Sequence, residues 1–399
     1  MKVLQLNVRA SQGGAGRVAL DLHHRLRRAG IDSRLLYGYG SGITDDPMVA
    51  GEESVERIGT RSSVLLNYAC HWAFGRDTTT GNKELVRTAI ASTDIVHLHA
   101  PHHHYIQWDH LINLTREYRK PIVATAHDWW FMTGRCGSTE GCEEWKLGCG
   151  KCGLRRFRDP KSLFDFSRNL RRRKIDSIES FGESFRFICP SRHLASDYRI
   201  AFPNASIRVI PNCLDLEFER ALSETKDEIR ARKGIVFSAA DLSSDLKIDK
   251  LLVEELARQQ EVQLILVGRN NPFTGDRLKI CGEVRGRSQM VEILRRARAL
   301  VFCSRTDNSP LTVIEALSAG CFVLAYTSAA SEEILSKVGG SCIPDRDTMI
   351  DVIVKDEIER LYGGIDSAEL TRRAQKVFSG DQWINAYVES YAEAMLLSK

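Results

Sequence analysis

No stretch of this 399-residue chain approaches the run of about 20 apolar residues that a membrane-crossing helix needs. Its opening, MKVLQLNVRA, puts Arg9 and polar side chains where a secretory leader carries its apolar core, so a cytoplasmic protein is expected. Proline is scarce at 10 residues and the 29 glycines follow no period, which excludes collagen-like and Pro-rich architectures. An excess of one charge sign is also missing: 56 Lys and Arg face 52 Asp and Glu, a net +4. With 43% hydrophobic residues that balance excludes a disordered chain. Eleven cysteines, an odd number without regular spacing, argue against a disulfide framework. Seven of them (Cys70, Cys189, Cys213, Cys281, Cys303, Cys321 and Cys342) stand singly, mostly in apolar runs such as FRFICP and ALVFCS, and read as small hydrophobes. At this length one core would outgrow the usual domain, so two or three domains are expected.

Charge is unevenly placed. Residues 1–215 carry 31 basic and 23 acidic side chains, whereas the remainder carries 25 and 29. The basic excess peaks in LRRFRDPKSLFDFSRNLRRRK, residues 154–174, where Arg and Lys interleave with Leu154, Phe157, Leu163, Phe164, Phe166 and Leu170. Such a stretch fits an anionic membrane surface or an anionic acceptor, and equally a solvated helix whose apolar side packs on its own domain. Neither helix-turn-helix, zinc-finger spacing nor ribonucleoprotein motif accompanies the charge, so nucleic acid is not expected as a partner.

Strand-like and helix-like patterns alternate along the chain. KVLQLNV (2–8), SRLLYGY, DIVHLH (94–99), PIVATAH (121–127), FRFICP (185–190) and IRVIPN (207–212) read as buried strands, with a helix predicted over 16–28. The polar stretch LEFERALSETKDEIRARKG separates them from a second series: IVFSAA (235–240), VQLILVG (262–268), LKICGEV (278–284), ALVFCS (299–304), CFVLAY (321–326) and SCIP (341–344). Two doubly wound α/β domains are therefore expected, residues 1–215 and 216–380, facing each other across a cleft. The final helical segment, about 381–399, is free to return to the first.

The chemistry-bearing residues fall in loops at strand ends. Gly13-Gly14-Ala15-Gly16-Arg17 opens a helix after the first strand, where small residues let a phosphate approach backbone N–H groups; an ordinary strand-to-helix turn has the same look. G-x-G-x-x-G is not matched, against a dinucleotide site. His99, His102 to His104 and His127-Asp128 end two successive strands, where an imidazole can shuttle a proton or simply hold the loop. Asp307, in Thr306-Asp307-Asn308-Ser309-Pro310-Leu311, precedes a helical TVIEALSAG that carries Glu315. Both carboxylates could meet one ligand at the helix N-terminus, although Asp307 also fits a capping residue.

With Asp307-x7-Glu315 inside SRTDNSPLTVIEALSAGCFVLAY, the chain resembles the GT-B retaining glycosyltransferases of family 4, whose signature is E-x7-E before a small-residue helix and strand. GGAGR, DIVHLH, the His-Asp pair, CPSRHLASDY and VIPNCLD follow in family order, so the likeness covers essentially the whole chain. The NVR…GGA opening, HDxW, TGRC, the clustered cysteines and the DN-P-L loop resemble bacterial exopolysaccharide glycosyltransferases of the colanic-acid type. The resemblance implies a hexosyltransferase acting from a nucleotide-sugar donor, with retention, on an oligosaccharide acceptor. A lipid-linked acceptor implies work at the inner face of the cytoplasmic membrane. It places Gly14 and Gly16 at the donor diphosphate, His127 beside the reacting centre with His99 and Asp128 on the acceptor side, and Asp307 at a sugar hydroxyl. Glu315 would hold the ribose, with Ser309, Pro310 and Leu311 in the donor loop. Lys247 matches the Lys of the family's R-x4-K pair, but Asp241 stands near its Arg position; Arg269 is the substitute expected. Cations and helix N-termini would stabilise the leaving diphosphate, and no catalytic metal is expected.

Cys136, Cys142, Cys149 and Cys152 are crowded into seventeen residues directly after HDWWFMTGR. Four thiols closing on C-x2-C suit one structural zinc with no open position, with disulfide pairing and plain reduced thiols as alternatives. Three rival functions remain at this level. A nucleotide-sugar epimerase turns over donor without acceptor, a binding protein has affinity without turnover, and a nicotinamide-dependent oxidoreductase lacks its fingerprint.

Overall fold

The computed structural model describes residues 1–139, 141–153, 156, 160–225, 232–259 and 261–396. Residues 154, 155 and 157–159 of the basic stretch, Leu154, Arg155 and Phe157 among them, lie outside the described residues, as do residues 226–231 of the polar stretch. The chain forms two compact units, Met1–Pro211 joined by the segment from Asp381 onward, and Asn212–Gly380.

In the first unit the order is β1 (Lys2–Asn7), α1 (Gly13–Arg28), β2 (Asp32–Tyr37), β3 (Val55–Arg57), α2 (Arg61–Phe74), α3 (Lys83–Ser92), β4 (Ile95–Leu98), α4 (Trp108–Glu117), β5 (Ile122–Thr125), α5 (Ser167–Glu179), β6 (Phe185–Cys189), α6 (Arg192–Ala201) and β7 (Ser206–Val209). The strands form one parallel sheet in the order β3-β2-β1-β4-β5-β6-β7. Every residue of β4 and β5 is buried. Helices on both faces make central strands continuous apolar runs rather than alternating ones, which is why they were readable. At only three residues, edge strand β3 carries too little pattern for the sequence to reveal it.

The second unit runs α7 (Leu216–Glu224), β8 (Ile235–Asp241), α8 (Lys250–Arg258), β9 (Leu264–Arg269), β10 (Leu278–Gly282), α9 (Arg287–Arg296), β11 (Ala299–Phe302), α10 (Leu311–Ser318), β12 (Phe322–Ala325), α11 (Ala329–Val338), α12 (Arg346–Val354) and α13 (Ser367–Val377). Its parallel sheet has the order β10-β9-β8-β11-β12. Two expectations need correction. The stretch beginning LEFERALSE is not a spacer, because Asp215 caps α7 and Phe218, Ala221 and Leu222 belong to the second core. SCIP makes only an isolated bridge, Ile343 to Tyr326; Pro344 has no N–H with which to extend a ladder.

The closing helix α14 (Gly380–Leu396) packs on the first unit. Trp383, Tyr387 and Tyr391 are buried, and the Tyr391 hydroxyl lies 2.6 Å from Nδ1 of His97 in β4. Tyr387 meets Thr125 of β5 at 3.1 Å, while Arg186 and Arg208 reach Glu393 and Glu389.

In each sheet the strand order reverses once, between β1 and β4 and between β8 and β11. Connections leave such a point toward opposite faces, opening a crevice at the carboxyl edge where ligands of α/β folds bind.

Candidate active site

At the first reversal the loop after β1 leads into α1. Gly13 has φ +73°, Gln12 gives the helix no side-chain cap, and no acidic residue occupies its first turn. The leading N–H groups and the positive end of the helix dipole therefore suit an anion. The two glycines singled out here do different work. A Cβ on Gly16 would stand 3.2 Å from the backbone carbon of Ser11 and 3.3 Å from the Arg9 carbonyl, so Gly16 is a packing requirement. Gly14 faces open space.

Beyond β4 and β5 the histidines form a row. Nδ1 of His99 lies 3.0 Å from Nε2 of His127, and Nε2 of His99 lies 2.9 Å from the Gln5 side-chain amide. His97 stacks on His99 with ring centres 4.2 Å apart and reaches Thr125 at 2.9 Å. Burial, with His127 adding a little, pushes His97 down to about 3. Burial lowers His127 to about 4 despite the Asp128 charge, and holds His99 well below the usual imidazole value. The row is neutral at physiological pH, so His127 can pass or accept a hydrogen bond or act as a neutral base, but it is not a standing cation. Asp128 opposes this trend. Burial raises its carboxyl, yet His102, 3.3 Å away, and the Trp130 N–H outweigh it and keep the group ionised.

Lys174 was not singled out within the run RRRK, and the structure sets it apart. It follows Ser167 by seven residues and precedes Ile178 by four, the three buried positions of α5. That spacing was the available signal. Its ammonium donates to the Trp130 carbonyl and lies 3.8 Å over the Trp130 ring. Burial pushes its pKa down to about 7.

At the second reversal the loops after β8 and β11 bring Lys247 and Asp307 together, Nζ to Oδ1 at 2.6 Å. The Asn212 amide donates to the Ser309 carbonyl at 3.0 Å, fixing the turn that delivers Pro310 as the N-cap of α10 and Leu311 as its first residue. Glu315 is 4% exposed and lies 3.5 Å from Arg287, which also holds Asp215 at 2.6 Å. Arg287 was missed, since no local pattern links positions 215, 287 and 315. Arg269 ends β9 in register with Asp241, is more than half exposed, and lies 3.9 Å from Glu283. Among the described residues no hydrogen bond or ion pair joins it to Lys247 or Asp307.

Cys136, Cys142, Cys149 and Cys152 all line one cavity of about 40 Å³ with Trp145 and Ser167. Burial raises the Cys149 thiol, while Arg171 and Lys174 pull it down. Among the described residues, His71, Asp77 and His104 are metal-capable side chains whose ligand atoms all lie within 4.8 Å of one another, and of the four thiols Cys136 and Cys152 hydrogen-bond to each other.

Two doubly wound parallel-sheet units, each with charged or small residues at its strand-order reversal, are the architecture that GT-B glycosyltransferases share. Residues 12–218 match the model of Glycosyltransferase Family 4 and residues 234–356 that of Glycosyl transferases group 1; the chain belongs to glycosyltransferase family 4. It is 32% identical over 402 residues to the putative colanic acid biosynthesis glycosyl transferase WcaC of Escherichia coli K12, covering 98% of this chain and 99% of that one. Among solved structures, sucrose-phosphate synthase of Thermosynechococcus elongatus matches with TM-score 0.66 and 14% identity over the whole of both chains. Anabaena HepE in complex with UDP matches with TM-score 0.65 and 15% identity over 98% of this chain and all of that one.

Proposed function

We propose that this protein moves a hexose from a nucleotide-sugar donor to a lipid-linked oligosaccharide during surface polysaccharide synthesis, with retention at the sugar. The Lys247–Asp307 pair at the strand-order reversal of the second sheet carries the reading. A nucleoside diphosphate departs as an anion; in this reading Lys247 and the N-terminus of α10 meet that charge in the second unit and Asp307 meets a sugar hydroxyl, while the N-terminus of α1 offers the first unit's own anion-binding end. Glu315, steadied by Arg287, takes the ribose, and Arg269 stands further out on the donor side. His127, neutral and hydrogen-bonded to His99, orients the acceptor hydroxyl with Asp128. The likeness to a colanic acid enzyme along nearly the whole chain supports polysaccharide synthesis over epimerisation or simple binding.

Peripheral membrane attachment belongs to the same reading. Helix α2 exposes Leu65, Leu66, Tyr68, Trp72 and Phe74, and Arg172 and Arg173 of α5 share a groove with Phe74. Apolar side chains flanked by arginines suit an anionic bilayer. No described helix is long and apolar enough to cross one. For the cysteines we keep one structural zinc, which would draw Cys142 inward and brace the loop after His127. Metal content of untagged protein, expected near one equivalent and lost in Cys149→Ser, tests it.

The function is tested by screening nucleotide sugars with lipid-linked acceptors and reading the product's anomeric configuration by NMR. A retained configuration and a loss of transfer in Lys247→Ala and Asp307→Ala are expected. Parental rates in both variants would remove the site assignment.

A further inference from the structure

A cavity of about 80 Å³ in the first unit lies between the loop after β4, the end of α2 and the inner face of α5. That is room for a few waters or one phosphate-sized group. Its wall is rich in hydrogen-bond donors without acceptors. Lys174, 4% exposed, has three N–H groups, and among the described residues its hydrogen-bond acceptor is the Trp130 carbonyl. The indole nitrogen of Trp108 is buried and has no partner among the described residues, whereas Nδ1 of His71 faces Asp77 at 3.6 Å and leaves Nε2 as that ring's acceptor. Asp109 is committed to Arg173 and Asp77 to His104 and His71, so these carboxylates are already engaged. A buried ammonium is costly unless it is paired and hydrogen-bonded, and no described carboxylate oxygen lies within hydrogen-bond reach of Lys174. Donors in excess of acceptors call for an oxygen-rich anion.

We propose that this cavity takes one phosphate group of an acceptor that is a phosphate or diphosphate ester, held by Lys174 and Trp108, with Arg76 at its rim. The inference deepens the reading above by naming the acceptor's anchoring group. His71 lies on α2, the helix whose other side exposes Leu65, Trp72 and Phe74, so a diphosphate held here leaves an attached lipid tail beside an apolar surface.

The test is calorimetric titration of the full chain with a short-chain isoprenyl diphosphate, with inorganic pyrophosphate as a second arm and UDP and GDP as donor-site controls. Expected is binding of the isoprenyl diphosphate that persists at saturating nucleotide, weakens at least tenfold in Lys174→Met, and weakens severalfold in Trp108→Phe, which removes only the N–H. Pyrophosphate binding as tightly as the ester supports the anion site and assigns the affinity to the diphosphate rather than the lipid. Unchanged binding in both variants, or displacement by the nucleotides, overturns the proposal. Donor turnover that survives such a result leaves the proposed glycosyl transfer standing. Should Lys174→Met not fold, Trp108→Phe alone decides.

Discussion

At the scale of single residues, two ion pairs of the second unit differ in burial. Lys247 and Asp307 are both partly exposed, so they can exchange each other for a ligand at little cost to the fold. We therefore expect Lys247→Ala to lower transfer by about 10²- to 10³-fold, the size of losing one preorganised charge stabiliser, while the thermal midpoint hardly moves. Glu315 is buried against a half-buried Arg287, and Glu315→Gln should cost both nucleotide affinity and stability, separable by comparing binding with melting. The buried histidines give a further prediction. His23 and His97 titrate near 3 in the fold and near 6.5 when unfolded, so between those values the unfolded chain holds more protons. Stability is complete above about pH 6.5 and falls on acidification, by about 2 kcal/mol for each by pH 5. Denaturant titrations at pH 7.5 and 5 should show this loss, and His97→Gln should flatten the slope even though it lowers stability at pH 7.5.

Among the elements, α1 sets a crowded glycine and an open one within four residues. Gly16 touches the backbone of Arg9 and Ser11, so Gly16→Val should destabilise by about 1–3 kcal/mol, the range for overpacking. Gly14 has space, so Gly14→Val should leave stability within about 0.5 kcal/mol, yet raise the donor KM if a diphosphate meets the helix there. Melting curves and donor saturation curves measured on the same two variants check both. The glycines themselves were legible in GGAGR; which one serves the fold was not, because the contact is with backbone atoms set by the turn from β1. Lys174 belongs here too. Its spacing from Ser167 and Ile178 marks the inner stripe of α5, but the surrounding arginines hide that stripe from a reading of charge alone.

For the whole molecule, α14 binds the end of the chain to its beginning. Trp383, Tyr387, Tyr391 and Ala394 are buried against the first unit, and burial of each large aromatic side chain is worth about 1.5–3 kcal/mol. A chain stopped at residue 380 thus forfeits an amount comparable to the 5–15 kcal/mol that holds a domain folded. Its first unit should lose its cooperative unfolding transition, read by circular dichroism as a reduced unfolding amplitude that leaves only the second unit's transition. Tyr391→Phe, which deletes only the 2.6 Å contact to His97, should cost about 1 kcal/mol and keep the transition.

The sequence by itself determined the class: buried parallel strands announce themselves as unbroken apolar runs, and the spacing from Asp307 to Glu315 together with the ordered landmarks marks the family. It left out the three-residue strand β3 and mistook SCIP for a strand, because edge pairing depends on neighbours that periodicity does not encode. Only the tertiary structure decided which charges meet. Lys247 is 60 positions from Asp307, and Arg287 is 72 from Asp215, yet each pair is joined. Electrostatic partnership acts through space across a few ångströms, and the separation along a chain says nothing about it until the strand order has been fixed.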